Sequence, residues 1–223
     1  MQAIRKTDEG FEVLVDIVNA IGRLKEEAPK REYYLMNTKP FSHKETIYVM
    51  NAIDNNDTQQ LQTLASSGID LSKSCGIALS YAVSKGSNDC VSYLIHKVGI
   101  NPHVDNDAAM LMAAATNNAK AVGIMLDSAN FNDYSLAKAL DMAVQSKAED
   151  ATDVLLATYQ FTSKHLLRLT EEAIHMGLNR MAKNLHTAAY TAIISNNRTE
   201  RQAKDESYRL SKENEKRGTF IRV

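Results

Sequence analysis

Alanine recurs at Ala52, Ala82, Ala113, Ala143 and Ala173, in steps of 30, 31, 30 and 30 residues. Twelve residues after each stands a large apolar residue: Leu64, Leu94, Met125, Leu155 and Leu185. The residue after each alanine is apolar too: Ile53, Val83, Ala114, Val144 and Ile174. Three columns in one register define an internal repeat, so each unit must stack on its neighbours to bury its apolar face. Arrays of this kind bind other molecules far more often than they transform them.

Within each period the expected plan is helix, tight turn, helix, loop. A short first helix carries small residues at its centre, as in 77–84 and 108–115, which lets neighbouring helices approach closely. The turns fall at Asn55-Asn56, Lys85-Gly86, Asn117-Asn118, Ser146-Lys147 and Met176-Gly177, where Gly and Asn tolerate the left-handed backbone that ends a helix. Asp57 and Asn88 are placed to cap the second helix. That second helix reads as the longer, more apolar one, with Cys90, Val91, Leu94 and Ile95 in one unit and Val122, Met125 and Leu126 in the next. Glycine and proline number only 9 and 3, and alternating apolar runs are lacking, so the chain is expected to be all-α.

Two flanks differ from the array. Residues 9–28 form an amphipathic pattern with Phe11, Leu14, Val15, Val18, Ile21 and Leu24 on one stripe, expected to be a capping helix over the first unit. A basic connector follows, so residues 1–44 read as cap and connector, and 45–187 as about five helix-turn-helix units. Residues 188–223 read as one more apolar turn or short helix and then a charged helix or tail, with eight Lys and Arg against five Asp and Glu from Arg198 onward.

The residues around the alanines resemble ankyrin repeats. The resemblance is carried by Asn51-Ala52-Ile53-Asp54-Asn55-Asn56-Asp57 with Leu61, Leu64 and Ser67-Gly68-Ile69-Asp70-Leu71, and by Tyr81-Ala82-Val83-Ser84-Lys85-Gly86 with Val91, Leu94 and Ile95. Met112-Ala113-Ala114 with Met125-Leu126 is similar. The family's Thr-Pro-Leu-His tetrapeptide is missing, and the period is shorter than the usual ~33 residues, a shortening expected to come from the projecting hairpin fingers.

The resemblance implies an ankyrin-like helical solenoid that binds a protein partner through its concave side, without catalysis. Carried onto matching columns, the partner-binding positions are Asp54, Asn55, Ser84, Lys85, Thr116, Gln145, Ser146, His175 and Met176. Lys73, His103, Asp105 and Asn106 are loop-tip candidates. By family architecture such a protein is an adaptor or an inhibitor, of the kind viruses, phages and intracellular bacteria direct at a host protein. Two other readings are a self-assembling structural subunit, and weak association with nucleic acid through the basic connector and tail.

No catalytic residues, metal ligands or cofactor are expected. The six histidines form no His-Glu-x-x-His pattern, and no Gly-x-x-x-x-Gly-Lys, Gly-x-Gly-x-x-Gly or Gly-x-Ser-x-Gly motif is present. A net charge of −1 does not point to nucleic acid, and no apolar run reaches the ~20 residues a bilayer requires. Cys75 and Cys90 do not make a disulfide framework: Cys90 sits in a core column and Cys75 in an expected turn. With no export signal behind Met1–Asp8, the cytoplasm is the expected compartment.

Overall fold

A computed structural model of the chain describes residues 41–219, which divide into two compact units between Thr158 and Tyr159. The expected capping helix at 9–28 and the chain end at 220–223 lie outside the described residues. Ten helices and no strand occur among the described residues. They pair as α1 (His43–Asp54) with α2 (Thr58–Ser66), α3 (Lys73–Lys85) with α4 (Asn88–His96), α5 (Val104–Ala115) with α6 (Ala119–Ser128), α7 (Asp133–Gln145) with α8 (Glu149–Thr158), and α9 (Ser163–His175) with α10 (Asn179–Thr219). The first four pairs form one unit, in which α1, α3, α5 and α7 pack in succession, and α2, α4, α6 and α8 make a second layer. In the other unit α9 packs along α10.

The alanine column explains the stacking. All five alanines are fully buried, and so are Ile53, Val83, Ala114 and Val144 beside them. Each alanine carbonyl accepts the N–H five residues on: Asp57, Ser87, Asn118, Ala148 and Leu178 donate at 2.8–2.9 Å. The residue before each of those donors is left-handed: Asn56, Gly86, Asn117, Lys147 and Gly177, with φ of 51–73°. This is a Schellman-type helix end repeated five times, and it sets one chain reversal per period. Lysine is the poorest residue for that backbone. Lys147→Gly is therefore expected to raise the unfolding free energy by roughly 0.5–1 kcal/mol, read from urea midpoints.

Helix lengths reverse the expectation from sequence. The first helices span 12 or 13 residues and the second ones 9 or 10, apart from α10. The first helices gain a turn because their N-caps, Ser42, Ser72, His103, Asn132 and Thr162, lie in segments that read as connectors. Ser42, Asn132 and Thr162 accept the N–H of Glu45, Ser135 and His165, each such cap being worth ~1 kcal/mol. Ser72 and His103 make no side-chain cap bond, and their helices alone begin with left-handed residues, Gly76 in one and Asp105, Asn106 and Asp107 in the other. Cys75 accordingly lies within α3 rather than in a turn.

Two column members depart from the rest. Leu64 is half-buried where Leu94, Met125, Leu155 and Leu185 are fully buried, and Ile174 is 59% exposed. Both fall in terminal repeats, the first and the fifth. From Asn179 to Thr219 α10 is one uninterrupted helix, running through residue 188, where the sequence pattern changes.

Candidate partner-binding face

The C-terminal ends of the first helices carry the side chains that differ from repeat to repeat. Asp54, Asn55, Lys85, Thr116, Gln145 and Ser146 are exposed and Ser84 is half-buried, each within three residues of a fully buried alanine. The register of the core column thus holds this polar row at a fixed offset. His175 is exposed and Met176 half-buried at the matching positions of α9.

Two of these residues are brought together across a repeat boundary. Lys85 Nζ lies 3.6 Å from Asp54 Oδ1, and the Tyr81 hydroxyl donates to the same oxygen at 2.8 Å. The Lys85 ammonium also stands 5.1 Å from the centre of the Tyr81 ring. Burial, then the hydrogen bond to the Asp54 carboxylate and its charge, push the Tyr81 phenol well above its ordinary range, so it stays a neutral donor. Tyr81 was not singled out from sequence. Its place one residue before Ala82 was the available signal.

Others serve their own helix ends. Asn55 Nδ2 donates to the Asn51 carbonyl, the Thr116 hydroxyl to the Met112 carbonyl, and the Ser84 hydroxyl to the Tyr81 carbonyl. Gln145 and Ser146 project from the end of α7.

The loop-tip candidates sit at helix starts, which corrects their expected placement. Lys73 opens α3 and pairs with Glu45 at 3.1 Å. The Ser42 N–H, then the Ser42 hydroxyl, then Lys73, hold the Glu45 carboxyl at about 2. His103 is the N-cap residue of α5, and its Nδ1 is 2.8 Å from Asp107 Oδ1, with its ring against Phe131 at 4.5 Å. The Ser135 hydroxyl donates to the other Asp107 oxygen, so Asp107 joins α5 to α7. Here the carboxylate lies between the imidazole and the hydroxyl, whereas a nucleophile needs the imidazole in between. Asp105 and Asn106 fall in the left-handed first turn of α5. Tyr134, 75% exposed at the start of α7, is a large aromatic side chain on the surface that periodicity did not reveal.

A polar ladder on the second layer was also missed. Asn56 accepts the Cys90 N–H at 3.2 Å and donates to Asp89 at 2.8 Å. Two repeats later Asn117 accepts the Ala151 N–H at 3.0 Å and donates to Asp150 at 3.2 Å. The Ser87 hydroxyl and Asn118 Nδ2 donate to the carbonyls of Ile53 and Val83 in the preceding repeat. Ser87, not Asn88, occupies the N-cap position of α4. Burial pushes the Cys90 thiol up to about 11, with Asp89 and Asp57 adding to the shift, so it is a core residue and not a nucleophile.

No group of three or more His, Cys, Asp or Glu side chains that could hold a metal ion occurs among the described residues, and no described helix is long and apolar enough to cross a membrane. Paired helices, Schellman-type turns and a shared alanine column define an all-α helical repeat protein. The family model described as ankyrin repeats (3 copies) matches residues 49–134 and 79–165, together more than half of the chain. The chain belongs to the ankyrin-repeat family, whose members are generally protein–protein interaction modules. No curated protein and no solved structure matches it.

Proposed function

We propose that this chain is a non-catalytic adaptor or inhibitor that binds one protein partner through the row at the ends of its first helices. The observation that carries the reading is the contrast between columns. Ala52, Ala82, Ala113 and Ala143 are identical and fully buried, while the exposed positions two and three residues on hold Asp54, Asn55, Lys85, Thr116, Gln145 and Ser146. A constant core beside a varied polar row is how a repeat scaffold presents a fitted surface. Lys73, His103, Asp105, Asn106 and Tyr134 extend the row at the opposite ends of these helices, and His175 and Met176 are its counterparts on α9.

Asp54 and Lys85 neutralise each other, so they present a fixed ion pair to the partner rather than two loose charges. In the first repeat Tyr48 is 42% exposed although its counterparts Ala78, Ala109 and Ala139 are buried. The buried free Cys90 suits a reducing compartment such as the cytoplasm.

Changing Asn55, Thr116 and Gln145 together to arginine leaves the core columns untouched. Affinity capture from source-cell lysate is expected to retain a partner with the unmodified chain and to lose it, by at least about tenfold, with this variant. Circular dichroism should be unchanged. Equal capture by a folded variant would remove the row from the binding site.

A further inference from the structure

From Arg198 onward eight basic and five acidic residues look mixed in sequence, but the helix that carries them sorts them. α10 runs uninterrupted from Asn179 to Thr219, so its register advances by ~100° per residue throughout. Met181, Leu185 and Ala189 are buried and mark its side toward α9. On the opposite side Lys183, Tyr190, Ile194, Arg198, Arg201 and Asp205 are all exposed, within a sector of about 100°. The same register brings positions 208, 209, 212 and 216, which are Tyr, Arg, Lys and Lys, into that sector. From Lys183 to the helix end the sector thus holds six basic residues against one acidic, in a chain whose net charge is −1. The other acidic positions of α10, at Glu200, Glu206, Glu213 and Glu215, fall outside it.

We propose that this face binds the surface of an anionic phospholipid bilayer, with α10 lying parallel to the membrane plane. Charge and shape select that occupant. A cluster of about four to eight Lys and Arg along one side of a helix attracts acidic lipid headgroups, each residue strengthening binding about fivefold. Residues 198–216 span ~27 Å of helix, and their basic positions share one side, as contact with a flat surface requires. Glu206 and Glu213 border the sector on one flank and Glu215 on the other. A nucleic-acid groove has phosphate walls on both sides of an inserted helix and would set those carboxylates against phosphates. A bilayer meets one side only and leaves them in water. Tyr190, 62% exposed, and Ile194, 51% exposed, stand on the same side as the arginines. An amphipathic ring and an apolar side chain suit the boundary between headgroups and acyl chains. Because α9 packs on the opposite side, this contact requires no opening of the α9–α10 pair. The face is separate from the row at the ends of the first helices, and the proposal does not rest on that row.

Co-sedimentation of the full chain with phosphatidylcholine vesicles containing about one third phosphatidylserine tests this. Binding is expected to be at least about tenfold weaker on phosphatidylcholine alone, and to fall on the acidic vesicles as salt is raised. Arg198→Glu with Arg201→Glu is expected to weaken binding at least about twentyfold while circular dichroism stays unchanged, since both residues are exposed. Arg201→Glu and Lys204→Glu alter the charge equally, but only Arg201 lies in the sector. The first is expected to cost about fivefold or more and the second about twofold or less. Absence of binding to the acidic vesicles, or equal binding to both kinds of vesicle, would overturn the proposal. Equal losses from Arg201→Glu and Lys204→Glu would do so as well. So would duplex DNA of about 20 base pairs that binds the chain more tightly than the acidic vesicles and displaces it from them, which would assign the face to nucleic acid.

Discussion

Gly76→Ala is expected to lower the unfolding free energy by roughly 2–4 kcal/mol, the largest effect expected of any glycine-to-alanine change in this fold. Two costs add. Gly76 has φ of +72°, a backbone that an alanine side chain opposes by ~1–2 kcal/mol. The added Cβ would also stand 2.6 Å from Val104 Cγ2 and 3.3 Å from Ile100 Cγ2. Val104 is β-branched and sits in the first turn of α5, so it has few rotamers with which to retreat, and overpacking of this kind costs ~1–3 kcal/mol. The two costs are separable. Gly76→Ala with Val104→Ala removes the collision and keeps the backbone strain, so the double variant should fall short of the sum of the two single effects. Urea unfolding of the four proteins checks this. If Gly76→Ala unfolds at the unmodified midpoint, the second and third repeats do not meet at this glycine.

Asn117→Ala is expected to cost roughly 1.5–3 kcal/mol, again from two sources. Its φ of 57° is a conformation asparagine tolerates and alanine does not. Its side chain also holds the first turn of α8, accepting the Ala151 N–H and donating to Asp150, and the substitution leaves that helix end without its side-chain acceptor. Asn117→Gly separates the terms: it keeps the backbone and loses only the bridge, for an expected cost of roughly 1 kcal/mol. Equal losses in the two variants would show that the bridge to α8 dominates and the left-handed backbone contributes little. Position 86 supplies an internal comparison, because it already carries glycine at φ of 72° and has no such bridge.

The architecture was legible in sequence because its main constraint is steric. Only a small residue fits where two helices approach closely, so Ala52, Ala82, Ala113, Ala143 and Ala173 write the stacking directly into the chain. The left-handed column was legible for a similar reason, with Asn or Gly at four of its five positions. The row of Asp54, Lys85, Thr116 and Gln145 came from the family resemblance carried onto the same columns, and these four residues are exposed.

What stayed hidden depends on pairs of residues in different repeats. The bonds of Asn56, Ser87, Asn117 and Asn118 join positions 33–35 apart, off the 30-residue step, so no single column displays them. Tyr81 with Asp54 is separated by 27 residues and is invisible for the same reason. Helix starts were misjudged because polar caps look like loop residues, although Ser42, Ser72, His103, Asn132 and Thr162 keep nearly the repeat spacing and could have been recognised by it. The exposure of Leu167 and Ile174 on α9 could not be read either. Both look like core residues until the uninterrupted α10 shows that no further repeat begins at the period.

The most direct measurement is amide hydrogen exchange of the full chain, free and saturated with its captured partner. The account predicts new protection at the ends of the first helices and the turns that follow, around 54–57, 84–87, 115–118 and 145–148. The second layer, α2, α4, α6 and α8, should be unchanged. Protection confined to the second layer or to the far end of α10, with those four turns unaffected, would contradict it.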